Sequence, residues 1–304
     1  MTDQSRALRM LNKLCYEYDI NTPFIMTSPI MGMAHGHYVF YDFDIDKTVF
    51  EIFQESSNTA YTEFGIPSIT KLEYLEKIIP KEELDIKNKS ISWELHHAYK
   101  AWGEERWMCK EIIDKIFGKK ETLNDYIEKS NWLQCEGYKA IFEEARRQKP
   151  TCSMALNWCY NEPWITAAGN SLITYPNNPK PAYYAVKDAL RPVMPSAKIE
   201  HFGYIGGEML MAELWYLNDS PKEIQDTVSV YIEIDGNKEH IMDWHTGIVD
   251  KNTNKRGHKI CYQLPKARMQ KIKLILEGDE ETSVYELLLK EEKTVNIIPH
   301  TLNV

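Results

Sequence analysis

The stretch Thr59-Ala60-Tyr61-Thr62-Glu63-Phe64-Gly65 decides how this sequence is interpreted. Its aromatic and β-branched residues favour a short strand, and the glycine that follows predicts the end of that strand. A second apolar run, Met154-Ala155-Leu156-Asn157-Trp158, is followed by Asn161-Glu162-Pro163. Two strands that each end close to a carboxylate predict a polar rim, as found where parallel strands end side by side.

Length and composition are typical of a globular protein. The chain has 304 residues, of which 43% are hydrophobic and 27% charged, which suits one large or two ordinary domains. A net charge of −9 argues against a phosphate-binding surface, so no nucleic-acid partner is expected. The 18 tyrosines and 8 tryptophans suit stacking on sugar rings, although aromatic residues more often fill cores.

The six cysteines and the N-terminus give no sign of a metal site or of secretion. The cysteines form no CxxC pair and lack metal-ligand spacing, which favours reduced thiols. No metal or other cofactor is therefore expected. The first residues lack a signal-peptide pattern, and no run approaches the ~20 apolar residues of a membrane span. We therefore expect a cytoplasmic protein without a membrane partner.

The first two thirds of the chain alternates short apolar runs with helical patterns. The spacing predicts strands at 24–27, 37–40, 60–63 and 153–158. It predicts helices at 6–18, 49–54, 68–79, 91–101, 105–117, 122–148 and 181–190. Such alternation is typical of parallel βα units, and four units are half of a (β/α)₈ barrel.

After Pro195 the hydrophobic period changes to two. Apolar residues alternate at 210–216, 228–234 and 272–276, and turn residues such as Asp235-Gly236 separate the runs. About 105 residues of short antiparallel strands suit an immunoglobulin-like β-sandwich. The predicted fold is therefore α/β plus all-β: a partial (β/α)₈ TIM barrel at 1–196 and a sandwich at 197–304.

Taken together, several motifs resemble the C-terminal part of glycoside hydrolase family 2 enzymes, in the β-mannosidase-like branch. The similarity extends over nearly the whole chain. Its motifs are Thr27-Ser28-Pro29, His37-Tyr38, Thr62-Glu63-Phe64-Gly65 with Ser68, Gln134-Cys135-Glu136-Gly137-Tyr138, Asn157-Trp158 to Trp164, Pro179 to Lys187, Leu190-Arg191-Pro192 and Leu214 to Ser220.

This resemblance implies a carbohydrate substrate and a role for five residues. Glu63 would be the nucleophile that forms a glycosyl-enzyme, and Trp158 would be the aromatic floor of the sugar subsite. His37, Trp93 and Glu162 are weaker candidates for substrate contacts.

The chain departs from the family at the second catalytic carboxylate. A retaining glycosidase needs an acid/base carboxyl about 5–5.5 Å from its nucleophile, and the family carries it in an Asn-Glu pair upstream of the nucleophile. No Asn-Glu pair precedes Glu63. We therefore expect the C-terminal portion of a longer enzyme, with low activity alone, which would need the missing N-terminal half or would self-associate through open strand edges.

Three functional interpretations remain open. The chain could be the nucleophile-bearing part of a retaining exo-β-glycosidase. It could be a non-catalytic carbohydrate-binding or assembly module derived from that family. It could also be a self-sufficient enzyme in which Glu162, within Asn161-Glu162-Pro163, supplies the acid/base; this tripeptide, however, follows Glu63 where other barrel glycosidases place it before the nucleophile.

Overall fold

The computed structural model describes residues 5–86, 90–97 and 109–291. Its N-terminal part combines seven α-helices, one 3₁₀ turn at Lys81–Glu83 and nine short strands within those ranges. The helices are α1 (Arg6–Tyr18), α2 (Val49–Glu55), α3 (Leu72–Ile78), α4 (Ile91–Leu95), α5 (Lys110–Phe117), α6 (Leu123–Arg147) and α7 (Pro181–Ala189). The strands are β1 (Met33–His35), β2 (Tyr41–Asp42), β3 (Lys47–Thr48), β4 (Ala60–Phe64), β5 (Ser68–Ile69), β6 (Ala155–Asn157), β7 (Ala168–Gly169), β8 (Ile173–Thr174) and β9 (Asn178–Pro179).

A parallel sheet of three strands positions the candidate site. The strand order is β1-β4-β6, and both neighbouring pairs are parallel. Tyr61 and Phe64 of β4 pack against Phe53 of α2 and Phe142 of α6, with ring centroids 5.0 and 5.2 Å apart. The central strand is therefore anchored to the helices through its aromatic residues.

Most predicted helices are confirmed, but two of the predicted strands are wrong. Residues 24–27 and 37–40 form no strand, and the third parallel strand is β1 instead. Gly36 follows β1 with a φ of 106°, a left-handed conformation that favours glycine and interrupts an extended chain. The apolar run after this glycine instead places Phe40 in the core.

The predicted helices between 68 and 117 are shorter than expected. α3 begins only after β5, and α4 ends at Leu95. Residues 98–108, which belong to the predicted helices at 91–101 and 105–117, lie outside the described ranges.

Helix α1 has the bounds that were predicted for it. Each of its residues is exposed or only partly buried.

The C-terminal part consists of two sheets of longer strands. Its strands are β10 (Val193–Ile199), β11 (Gly203–Ile205), β12 (Met209–Asn218), β13 (Thr227–Ile234), β14 (Asn237–His245), β15 (Asn254–Gln263), β16 (Gln270–Glu277) and β17 (Thr282–Lys290). One sheet has the order β10-β12-β15 and the other β11-β17-β16-β13-β14. All pairs are antiparallel except β11 with β17. The strands predicted within this region are confirmed.

Phe202 joins the two parts of the chain. Its ring lies 5.0 Å from that of Phe40 and 5.4 Å from that of Trp132 in α6, measured between centroids. Phe50 and Phe117 complete this aromatic cluster at 6.1 and 6.2 Å from Phe202. One hydrophobic core therefore extends from the helices into the C-terminal sheets.

In the part of the chain that the structure describes, no helix combines the length and the apolar character of a bilayer span.

Candidate active site

Glu63 and Trp158 open onto the same cleft, which has a volume of about 750 Å³. Glu63 is the penultimate residue of β4, and Trp158 directly follows β6. Parallel neighbouring strands bring their carboxyl ends to one edge of a sheet, and this is why residues almost a hundred positions apart meet. The described residues that line the cleft also include His35, His37, Tyr38, Asp42 and Asp44.

The carboxylate of Glu63 has a different partner at each oxygen. The hydroxyl of Tyr38 donates to Oε1 over 2.6 Å, and Nε2 of His35 lies 3.5 Å from Oε2. The side chain retains 27% exposure, so solvent or a ligand can reach it. Burial, followed by the hydrogen bond to Glu63, raises the pKa of Tyr38 well above its usual range, which keeps the phenol protonated as a donor.

Backbone hydrogen bonds fix the strand end that carries Glu63. The amide of Gly36 donates to the carbonyl of Glu63 over 2.7 Å, and the amide of Gly65 donates to the carbonyl of His37 over 2.9 Å. On the opposite side, the amide of Trp158 donates to the carbonyl of Phe64 over 2.8 Å. These backbone hydrogen bonds therefore fix the positions of the residues on both sides of Glu63.

The turn after Glu63 is tightly packed at Gly65. A β-carbon at this position would lie 2.4 Å from Nδ2 of Asn170 and 2.8 Å from the carbonyl oxygen of Trp158. The hydroxyl of Tyr138 donates to the carbonyl of Asn170 over 2.6 Å and accepts from the amide of Ile66 over 3.3 Å. Helix α6, through Tyr138, thus connects this turn to Asn170, which directly follows β7.

A second polar cluster lies beneath the same turn. The hydroxyl of Ser68 donates to Oε1 of Gln134 over 2.8 Å, and Nε2 of Gln134 donates to the carbonyl of Ile66 over 2.7 Å. Both side chains are buried, so their hydrogen bonds replace lost contacts with water. Gln134 and Tyr138, which carried part of the family resemblance, therefore support the site and do not line it.

Trp158 is partly exposed and faces Tyr38. Their ring centroids are 5.9 Å apart with planes inclined at 78°, an edge-to-face arrangement. Tyr38 therefore contacts both Trp158, through its ring, and Glu63, through its hydroxyl. The structure thus brings together the predicted nucleophile and the predicted aromatic floor.

His37 also reaches the cleft, where its partner is a carboxylate. Nδ1 of His37 lies 3.4 Å from Oδ2 of Asp42. The other oxygen of Asp42 accepts the backbone amide of Asp44 over 2.9 Å. The cleft therefore contains two carboxylates besides Glu63, both contributed by the short segment after Tyr38.

The structure does not bring Trp93 to the cleft. Trp93 is fully buried in the core, and its Nε1 donates to the carbonyl of Glu83 over 2.8 Å. Trp93 faces inward from α4, whereas Ile91 and Leu95 of the same helix are exposed. Trp93 therefore lies outside the described lining of the cleft.

Glu162 is likewise placed below the surface, with 5% exposure. Its Oε1 accepts the hydroxyl of Ser171 over 2.5 Å and lies 3.2 Å from Nζ of Lys180. Burial lowers the pKa of Lys180, and the charge of Glu162 opposes that effect. Glu162 thus forms a buried ion pair that connects the loop after β6 to the start of α7, outside the described lining of the cleft.

Sequence reasoning missed four residues of the cleft: His35, Tyr38, Asp42 and Asp44. The pattern His35-Gly36-His37-Tyr38 was the available signal, because a run of polar rings directly after a strand is unusual for a core segment. Register decided which of them meet Glu63: His35 pairs with Glu63 across β1 and β4.

No group of three or more potential ligands that could hold a metal ion occurs within the described ranges.

Comparison with known proteins finds that the chain is similar to β-mannosidases. The chain is 25% identical over 224 residues to a β-mannosidase B from Aspergillus niger, and 24% identical over 214 residues to a β-mannosidase B from Aspergillus oryzae. These alignments cover 71% and 68% of the chain. They cover 26% and 24% of the two relatives, so the chain spans about a quarter of the length of the curated proteins it matches. No family model matches the chain.

Solved structures share its mixed fold of helices and sheets. A β-D-mannosidase from Dictyoglomus thermophilum superposes with a TM-score of 0.67 at 22% identity, covering 92% of this chain and 34% of that one. An exo-chitosanase from Amycolatopsis orientalis superposes with a TM-score of 0.62 at 16% identity, covering 82% and 30%. The resemblance to the β-mannosidase-like branch of glycoside hydrolase family 2 is therefore confirmed.

Proposed function

We propose that this chain forms part of a retaining exo-β-glycosidase of the β-mannosidase-like type, which hydrolyses terminal β-glycosides through a glycosyl-enzyme on Glu63. The observation that carries the proposal is the hydrogen bond of 2.6 Å from Tyr38 to Glu63 at a strand end in the cleft. A partly exposed carboxylate, oriented by a protonated phenol beside a partly exposed tryptophan, suits attack on an anomeric carbon.

The two oxygens of Glu63 have different roles in this mechanism. Tyr38 holds Oε1, which fixes the plane of the carboxylate. Oε2 has only the longer contact of 3.5 Å to His35, so Oε2 is the oxygen that attacks. When it becomes an ester, the hydrogen bond from Tyr38 stabilises the carbonyl oxygen of the intermediate. Trp158 offers an aromatic face for the sugar ring.

The open architecture of the parallel sheet supports a larger assembly. Parallel sheets are normally covered on both faces, yet Met154 and Leu156 beside and within β6 are 40% and 51% exposed. We interpret β1, β4 and β6 as part of a (β/α)₈ barrel and the C-terminal sheets as an immunoglobulin-like sandwich. An N-terminal half with the remaining strands, or a second copy of this chain, would complete the barrel and supply further substrate contacts.

Chemical rescue tests the nucleophile. Removal of a nucleophilic carboxylate leaves room for azide, which attacks a β-mannoside from the opposite face and forms an α-mannosyl azide. With 2,4-dinitrophenyl β-mannoside we expect Glu63→Ala to lose turnover and to regain it in azide with this inverted product. Glu128→Ala, which removes an exposed carboxylate of α6, serves as the control and retains wild-type turnover.

Two results would contradict the proposal. Undiminished turnover by Glu63→Ala would remove Glu63 from the mechanism. A wild-type chain that binds β-mannosides but does not turn over even the dinitrophenyl substrate would favour the alternative, a non-catalytic carbohydrate-binding or assembly module.

A further inference from the structure

Lys180, the residue at the N-cap of α7, carries a buried ammonium group that the proposed mechanism does not use. Its Nζ lies 3.2 Å from Oε1 of Glu162 and donates to the carbonyl of Gly169 over 3.2 Å. A buried charge is costly unless partners compensate for the lost water. Both partners of this ammonium belong to one stretch of chain, which we call the 158–173 segment.

Further hydrogen bonds connect the 158–173 segment to Lys180. Oε1 of Glu162 also accepts the hydroxyl of Ser171 over 2.5 Å, so the lysine and the far end of the segment share one carboxylate oxygen. The backbone amide of Lys180 donates to the carbonyl of Leu172 over 2.9 Å. Lys180 therefore contacts the segment through its side chain and through its backbone.

The same segment reaches both the cleft and the turn behind the proposed nucleophile. Trp158, at its start, lines the cleft. Asn170, which directly follows Gly169, is 2% exposed, and its Nδ2 lies 2.4 Å from the position that a β-carbon of Gly65 would occupy. Because Gly65 comes two residues after Glu63, the segment packs directly behind the strand end that carries the carboxylate.

The position of the Asn170 side chain depends on the backbone that carries it. Among the residues that the structure describes, neither polar atom of its side-chain amide has a hydrogen-bond partner. The preceding Gly169 pairs with Ser68 between β5 and β7. Its carbonyl accepts from the ammonium of Lys180 and, over 3.4 Å, from the amide of Gln134. Loss of the ammonium would therefore loosen the contact between Asn170 and the turn that it packs against.

We propose that Lys180 is a positioning residue for the hydrolysis that Glu63 performs; this inference rests on the proposed function. The ammonium holds Glu162 and the carbonyl of Gly169, and thereby keeps the 158–173 segment packed against the turn after Glu63. Lys180 itself lies outside the described lining of the cleft, so it acts on the reaction through the position of the backbone.

Lys180→Met tests the ammonium, because it keeps most of the aliphatic stem and removes the charge. The unpaired carboxylate of Glu162 should lower the urea midpoint of unfolding. Under conditions in which circular dichroism shows the variant to be folded, we expect kcat/KM for 2,4-dinitrophenyl β-mannoside to fall by about 10–100-fold, since displacements of about 1 Å have effects of this order. Unchanged kcat/KM in the folded variant would overturn the proposal.

A second variant separates position from stability. Lys180→Met combined with Glu162→Gln leaves no unpaired buried charge, so the urea midpoint should return towards that of the wild type. The carbonyl of Gly169 still lacks the ammonium, and kcat/KM should therefore remain low. Recovery of kcat/KM together with stability would show that Lys180 is only a structural ion-pair partner, and the positioning role would be refuted.

The route through Asn170 has its own readout. Asn170→Ala should also lower kcat/KM, because it removes the group that packs against Gly65. Because both residues act through one contact, the loss in Lys180→Met combined with Asn170→Ala should be close to the larger single loss. Losses that multiply would show two independent effects and would contradict this route.

Lys139→Met is the matched control. The ammonium of Lys139 likewise contacts one carboxylate, that of Glu136 over 2.7 Å, and one carbonyl, that of Val284 in β17 over 2.6 Å. Its loss should lower the urea midpoint and leave kcat/KM of the folded chain unchanged. Failure of wild-type chain to turn over the dinitrophenyl substrate would remove the proposed function and this inference together, whereas an active wild type and an equally active Lys180→Met would overturn this inference alone.

Discussion

Glu63 has one short and one long contact at its two carboxylate oxygens, and this difference defines its chemistry at the scale of single residues. Tyr38 holds Oε1 at 2.6 Å, whereas His35 stands 3.5 Å from Oε2. Hydrogen bonds to charged groups contribute about 1.5–3 kcal/mol. Tyr38 is therefore important for the orientation of the proposed nucleophile, Glu63, and also for the stability of its negative charge.

Replacement of Tyr38 by phenylalanine tests this contact. The change removes the donor and keeps the ring, so the edge-to-face contact with Trp158 should remain. We expect kcat/KM for an aryl β-mannoside to fall by about 10–100-fold, the equivalent of the lost hydrogen bond. Tyr262→Phe is the control, because Tyr262 donates to Glu239 over 2.7 Å outside the cleft; a similar loss there would refute a specific role for Tyr38.

Single residues were predictable to different degrees. Glu63 and Trp158 stand in motifs at predicted strand ends, and for this reason their meeting in one cleft could be predicted. Tyr38 belonged to the His37-Tyr38 motif, but its contact with Glu63 depends on how the chain turns after Gly36, which sequence periodicity does not report. Trp93 and Glu162 are buried outside the described lining of the cleft, and local sequence does not show which face of a helix is buried or that a carboxylate has a buried lysine partner.

At the scale of elements, the turn between β4 and β5 couples the sheet to helix α6. Gly65 fits between Asn170 and the carbonyl of Trp158. The hydroxyl of Tyr138 in α6 accepts the amide of Ile66 and donates to the carbonyl of Asn170. The position of Glu63 therefore depends on packing behind it as well as on its neighbours in the cleft.

We expect Gly65→Ala to displace this turn. The added methyl group would require movement of Asn170 or of the backbone at Trp158, and overpacking of this kind costs about 1–3 kcal/mol. Denaturant unfolding should show that loss, and kcat/KM should fall more than stability alone explains. Gly169→Ala is the control, since a β-carbon there has no neighbour closer than 3.6 Å; equal effects of the two variants would contradict the argument.

Helix α6 also contains a carboxyl group that should make stability depend on pH. Burial raises the pKa of Glu136 to about 7, despite its ion pair of 2.7 Å with Lys139. The folded chain thus binds the proton more tightly than the unfolded chain, whose carboxyl has a pKa near 4.5. This contribution to stability is complete below the unfolded value and is lost as the pH rises through about 7.

Glu136→Gln should remove that pH dependence. Between pH 4.5 and 8 we expect the free energy of unfolding of wild-type chain to decrease relative to the variant by on the order of 3 kcal/mol. Urea titrations across this range provide the measurement, and Glu128→Gln on the exposed side of α6 should parallel the wild type. Parallel curves for wild type and Glu136→Gln would show that Glu136 does not titrate in this window.

Elements were predictable where the pattern was long. α6, α7 and the alternating strands of the C-terminal sheets follow from their periodicity, because many residues report the same face. The strand β1, which has only three residues, could not be predicted from periodicity. The apolar run after Gly36 is a stronger strand signal in the sequence, but in the structure that run enters the core without forming a strand.

At the scale of the whole molecule, two parts share one core through Phe202, while the face of the parallel sheet stays open. The α/β alternation followed by a region of period two was visible in the sequence. The exposed residues near β6 and the cleft formed by β1, β4 and the loop after β6 depend on which strands pair, and this could not be derived from spacing. The chain also spans only about a third of the D. thermophilum β-mannosidase that it superposes on.

The most direct test of the central claim is covalent trapping of the nucleophile. The full chain would be incubated with 2-deoxy-2-fluoro-β-mannosyl fluoride, whose fluoride leaving group needs little protonation, and analysed by intact mass and peptide mapping. We expect one glycosyl adduct, carried by the peptide that contains Glu63 and absent in Glu63→Gln. An adduct on another residue, or none on folded wild-type chain, would contradict the account.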